Sequence, residues 1–123
     1  MKRILLIEDN ADVRTMLCDA LKEAGYEVVA VADGNAGIEA QRRAPADVVV
    51  TDLFMPEKEG LETIAELRKG FPETKIIAIS GGSRLRIPLA DHLTTARALG
   101  ADAVLRKPFD PGELVAIVRQ LAG

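Results

Sequence analysis

Four short apolar runs in this chain end on side chains that can do chemistry. The run ILLI at 4–7 leads into Glu8 and Asp9, VVV at 48–50 into Thr51 and Asp52, IIAI at 76–79 into Ser80, and AVL at 103–105 into Arg106 and Lys107. Taken singly, a polar residue at such a place is where a loop begins. Brought together, three carboxyl groups, a hydroxyl and an ammonium would form a site. Two carboxylates about 4 Å apart repel by roughly 4 kcal/mol at an effective dielectric of about 20, so a cluster of three requires a cation or protons. With oxygen ligands and no His or Cys cluster beside them, the suitable ion is hard: Mg2+, with Mn2+ able to substitute. A metal ringed by acids and faced by Lys107 and Ser80 suits phosphoryl transfer, in which charge spreads over the equatorial oxygens of the transferring group. In that chemistry Asp52 attacks phosphorus and carries an acyl phosphate. Asp9 and Glu8 hold the metal directly or through water, and Lys107 and Ser80 receive the phosphoryl oxygens.

These residues converge only if the runs lie side by side and point the same way. With VVAV at 28–31 the apolar runs number five, and the first, third and fourth are continuously apolar rather than alternating. That is the pattern of strands covered on both faces in a parallel sheet. Between them, Val13, Met16, Leu17, Ala20, Leu21 and Ala24 form one stripe over 11–24, with Gly25 where the helix ends. Asp110, Pro111 and Glu113 supply a cap, a proline at the first helical position and a reciprocal acid, followed by the stripe Leu114, Ile117, Val118 and Leu121. Further helices are predicted over 35–43, 60–70 and 88–99, the middle one facing inward through Leu61, Ile64 and Ala65. The expected fold is α/β, (βα) repeated five times in a doubly wound sheet with right-handed crossovers. Its ligands bind beyond the carboxyl ends of the strands.

Composition narrows the remaining choices. A chain of 123 residues fits one domain, 1–123, and 48% hydrophobic with 28% charged residues excludes a disordered or fibrous chain. A net charge of -3 speaks against nucleic-acid contact by this domain alone. The single cysteine, Cys18, requires no oxidising compartment, and the run at 4–7 is too short for a signal peptide or membrane span. The expected location is the cytoplasm, with no membrane contact.

At this point the sequence resembles the receiver domain of two-component response regulators, over essentially the whole chain. The resemblance is carried by the acidic pair ED at 8–9, DLFMPEKEG at 52–60, IS at 79–80 and KPF at 107–109, each at the end of its own strand. It implies a flavodoxin-like strand order 2-1-3-4-5 and a cis bond between Lys107 and Pro108. It also implies that Asp52 accepts phosphate from a sensor histidine kinase or a histidine phosphotransfer protein. Asp9 and the backbone carbonyl of Phe54 would join Asp52 as metal ligands, with Glu8 assisting. The product of such a chain is a changed surface, at loop 80–88 and the face of the fourth helix, fifth strand and fifth helix, that controls a downstream protein. It is a regulatory domain rather than an enzyme, and assists only its own phosphorylation and dephosphorylation. A monomer or weak homodimer is expected.

The sequence departs from the family pattern in two places. The aromatic usual three positions before the lysine is Val104, and the segment 80–101 is longer than usual, with Arg84 and Arg86 beside the flexible Gly81 and Gly82. His92, beside Asp91, is read as a surface residue, Met55 and Pro56 as loop-shaping, and Gly60 as easing the chain into its helix. Alternative functions are the receiver part of a larger regulator, an unphosphorylated docking receiver, or an aspartate-nucleophile phosphatase. The phosphatase would have its nucleophile in a DxD arrangement after the first strand, where this chain has Glu8-Asp9-Asn10. A flavin-binding module would place a phosphate loop there, and acids would repel the phosphate.

Overall fold

Parallel pairing aligns the five apolar runs. The computed structural model describes residues 2–53, 60–80, 97 and 100–122. Its strands are β1 (Arg3–Ile7), β2 (Glu27–Val31), β3 (Val48–Asp52), β4 (Lys75–Ser80) and β5 (Ala103–Arg106). They form one parallel sheet in the order β2-β1-β3-β4-β5, as the resemblance implied. The helices among the described residues are α1 (Ala11–Glu23), α2 (Gly34–Arg43), α3 (Gly60–Gly70) and α4 (Pro111–Ala122). Of the helix expected over 88–99, only Arg97 is described, and it is helical; the rest of that segment lies outside the described residues.

Each strand feeds both faces of the sheet, which is why the central runs cannot alternate with polar residues. Leu5, Ile7, Val49, Ile76 and Ala78 meet Ile38 of α2 with Ile64 and Leu67 of α3 on one side. Ile4, Leu6, Val48, Val50, Ile77 and Ile79 meet Leu17 and Leu21 of α1 with Leu114 and Val118 of α4 on the other. All five residues of β3 are buried, whereas the edge strand β2 has none fully buried.

Local signals set the helix ends. Asn10 caps α1 through its side chain, which accepts from Val13 N–H at 3.0 Å, and Asp33 does the same for α2 from Ala36 N–H at 2.8 Å. At the far end of α1, Gly25 takes φ 99°. The Tyr26 N–H then reaches Leu21 O and the Gly25 N–H reaches Lys22 O, the paired bonds of a Schellman stop. At α4 the expected cap and reciprocal acid are both in place, with the cap side chain serving the N–H of the second helical residue. Glu113 Oε1 accepts from Asp110 N–H, and Asp110 Oδ1 from Gly112 N–H.

Gly60 ties α3 to the site. A Cβ there would collide with the carbonyl oxygen of Asp52 and the Cα of Leu53, so only glycine lets the helix begin against the end of β3. Its N–H donates to Leu53 O at 3.1 Å.

Candidate functional site

The sheet bonding continues one residue past several strand ends, and this holds the loops that carry the polar groups. Glu8 N–H donates to Val31 O at 3.0 Å, Leu53 N–H to Ile79 O at 2.9 Å, and Lys107 N–H to Ser80 O at 2.7 Å. Glu8, Asp9, Asp52, Ser80 and Lys107 therefore lie at one end of the sheet, the end at which the sequence places them. The Lys107–Pro108 bond is cis, as the resemblance implied. Phe54, Met55 and Pro56, and the residues Gly81, Gly82, Arg84, Arg86 and His92, lie outside the described residues.

At the centre, Lys107 Nζ bridges two acids, donating to Asp52 Oδ2 at 2.9 Å and to Glu8 Oε1 at 3.2 Å. Both acids are almost fully buried, Glu8 at 1% exposure and Asp52 at 4%. The other Glu8 oxygen accepts from Asn10 N–H at 3.1 Å. Carboxylate oxygens of Glu8, Asp9 and Asp52 all lie within 4.8 Å of one another, the described residues' one grouping of acids able to hold a metal ion.

Burial, followed by the charge of Asp52, pushes the Glu8 carboxyl up from 4.5 to about 7, although the Asn10 N–H and the Lys107 ammonium pull the other way. Burial disfavours the Lys107 ammonium too, but its bonds and charge interactions with Asp52 and Glu8 outweigh that, and its pKa stands above 10.5. A buried acid held up beside an ammonium held on by acids is a grouping that a bound cation would relieve.

Ser80 is completely buried, yet its Oγ has no hydrogen-bond partner among the described residues. Burying an unpaired hydroxyl costs on the order of 1–3 kcal/mol, so a hydroxyl kept here at the carboxyl end of β4 is available to a ligand oxygen. Val104, the departure from the family aromatic, is half-buried and packs against the core beneath α2 and α3. One residue of the site was not singled out from sequence: Arg14, whose guanidinium donates to Glu8 O at 2.9 Å. Its signal was faint, an arginine one helical turn after a capping asparagine and an acidic pair.

Comparison with known proteins agrees with this geometry. The chain is 33% identical over 122 residues to the chemotaxis protein CheY of Thermotoga maritima, covering 98% of both sequences. It is 36% identical to the probable transcriptional regulator ycf27 of Porphyridium aerugineum over 98% of this chain, but spans only 48% of that relative. The solved structure of the Vibrio cholerae chemotaxis protein CheY4 superposes with a TM-score of 0.87 at 28% identity, covering 98% of both chains. An acidic pair after β1, an aspartate ending β3, a buried serine ending β4 and a cis-linked lysine after β5 are thus found in a chain whose residues 4–119 match the response regulator receiver domain model, and the chain belongs to that family.

Proposed function

We propose that this chain is a phosphoacceptor switch in which Asp52 takes a phosphoryl group from a phosphohistidine donor. The observation that carries the reading is the pairing of Asp52 with Lys107 at 2.9 Å at the strand end where the buried Ser80 hydroxyl has no partner among the described residues. A carboxylate oxygen of Asp52 attacks phosphorus as the P–N bond to the donor imidazole breaks, and the bonding pair leaves with the imidazole. Lys107, already aimed at that carboxylate, follows the negative charge onto a phosphoryl oxygen, and the Ser80 O–H donates to another. Hydrolysis of the acyl phosphate by water returns the carboxylate, so the chain regulates rather than turns over a metabolite.

The acids fit a hard cation. Glu8, Asp9 and Asp52 each offer a carboxylate oxygen within 4.8 Å of the others, an all-oxygen donor set of the kind such an ion takes. Asp9, Asp52 and Glu8 would hold Mg2+, with Mn2+ able to substitute, and the family supplies the Phe54 carbonyl as a further ligand. When bound, the ion neutralises the acids and the charge of the transferring group.

A sensor histidine kinase or histidine phosphotransfer protein is the proposed donor, and a downstream protein reads the changed surface. To turn a population from mostly inactive to mostly active, the phosphoryl group must favour the second state by about 5.5 kcal/mol. The near-complete coverage of CheY favours a switch that acts by itself in the cytoplasm. The 48% coverage of ycf27 favours a second reading, the receiver part of a longer regulator. Among the described residues no helix is long and apolar enough to cross a membrane.

The test is intact mass after incubation with acetyl phosphate, with and without Mg2+, on wild type and Asp52→Asn. One added phosphoryl group that needs Mg2+ and is lost in the variant is expected. An adduct that survives in Asp52→Asn would move the acceptor elsewhere, and no adduct together with no binding of beryllofluoride would leave a docking receiver.

A further inference from the structure

The turn that carries the acidic pair is held by one residue the phosphoacceptor reading does not use. Glu8 and Asp9 precede the cap of α1, so their carbonyls have no place in the helical ladder. Arg14 takes both, its Nη1 donating to Glu8 O at 2.9 Å and to Asp9 O at 3.5 Å, and its own N–H donates to Asn10 O at 2.9 Å. Three successive carbonyls of the turn are therefore fastened to a single half-buried residue of α1. The bond from Asn10 N–H to Glu8 Oε2 at 3.1 Å closes the turn from the other side and aims the Glu8 carboxyl inward.

From this geometry we infer that Arg14 is a positioning residue of the cation site, acting through the main chain of Glu8 and Asp9 rather than by touching the ion. The inference rests on the phosphoacceptor reading for the identity of the cation. Both side-chain bonds of Arg14 come from the one nitrogen Nη1, whose two N–H groups can serve the two adjacent carbonyls at once. The guanidinium's two possible influences on a bound cation have opposite signs. Fixing the turn keeps the Glu8 and Asp9 oxygens near Asp52 and strengthens binding, whereas a bare positive charge nearby would weaken it. The arginine is bound to carbonyl dipoles, which draw off part of its field, so positioning governs.

Calorimetric titration of MgCl2 into the protein, with no phosphoryl donor present, separates these effects. Wild type, Arg14→Met and Arg14→Lys are compared at a temperature where circular dichroism shows each to be folded. Loss of an outer group that orients metal ligands typically weakens binding 10- to 100-fold, and the indirect route through main chain puts Arg14→Met at about tenfold. Arg14→Lys should fall between that and wild type. A residue that merely supported the fold would lower the melting temperature and leave Mg2+ affinity unchanged, and that result overturns the inference. So does tighter binding by Arg14→Met, which would make the guanidinium a repelling charge. If Arg14→Met does not fold, Arg14→Lys decides: weaker Mg2+ binding supports positioning and wild-type binding refutes it. Wild type that binds no Mg2+ overturns the phosphoacceptor reading as well, whereas intact wild-type binding with an unaffected Arg14→Met overturns this inference alone.

Discussion

The two ends of the sheet bury polar side chains in opposite ways. At the amino end Gln41, with no exposed surface, is fully used: its Oε1 accepts from Ala46 N–H at 2.8 Å and its Nε2 donates to Thr74 Oγ1 at 3.0 Å. Beside it Arg68 fastens the ends of α3, β4 and β5, donating to Gly100 O and Asp102 Oδ2, each at 2.6 Å, and to Thr74 O at 3.1 Å. At the carboxyl end Ser80 is just as buried, yet its hydroxyl has no partner among the described residues, and the Lys107 ammonium bridges the two buried acids Glu8 and Asp52. A satisfied network locks a fold, while an unsatisfied one waits for a ligand. Both ends belong to the same strands, so the difference lies in the side chains and not in the scaffold.

The comparison is broken most severely where the scaffold touches the site. Gly60→Ala should cost about 2–3 kcal/mol, since a methyl cannot fit against the Asp52 carbonyl without moving backbone. A falling urea midpoint would show it. An unchanged midpoint would mean that α3 can start elsewhere, and that Gly60 does not couple the helix to the phosphoacceptor.

The next contrast sets the two buried polar groups against each other. Gln41→Ala should lower stability by about 2–3 kcal/mol, because it leaves the Ala46 N–H unpaired and opens a cavity, with Mg2+ binding untouched. Ser80→Ala should be neutral or stabilising by about 1 kcal/mol, since it removes an unpaired buried hydroxyl, while slowing phosphoryl transfer. Equal losses in chemical denaturation would erase the distinction between the two ends.

The smallest effect is in pH. In metal-free buffer the folded chain holds the Glu8 proton up to about 7, against 4.5 for an unperturbed carboxyl. The folded state therefore binds the proton more tightly, and this contribution to stability is complete below about pH 4.5 and lost as pH rises through 7. Relative to Glu8→Gln, wild type in chelator should lose stability as pH rises from 4.5 to about 7. Melting curves that run parallel for the two proteins would show that the Glu8 carboxyl is not crowded.

Much of this was legible along the chain because its causes are local. Continuous apolar runs told strands buried on both faces, the spacing of Leu17 and Leu21 told the inward stripe of α1, and Gly25 and Asp110 marked helix ends. The polar ends of those runs told which side chains would meet, since parallel strands carry their carboxyl ends to one side. The strand order and the cis Lys107–Pro108 bond came from family resemblance and not from periodicity. The caps Asn10 and Asp33 were readable but not singled out.

What remained hidden depends on partners distant in sequence or on counting hydrogen bonds. Lys107 meets Glu8 across 99 positions, and Arg68 meets Asp102 across 34. The sequence sets Thr74 before the run at 76–79 and Ser80 after it, but does not tell that, among the described residues, the Thr74 hydroxyl is paired and the Ser80 hydroxyl is not. The sequence determined the elements and the kinds of groups at their ends, because periodicity and capping act over a few residues. Only the tertiary structure decided which of those groups are satisfied by the protein itself, because satisfaction depends on distances that the chain closes only when the sheet is assembled.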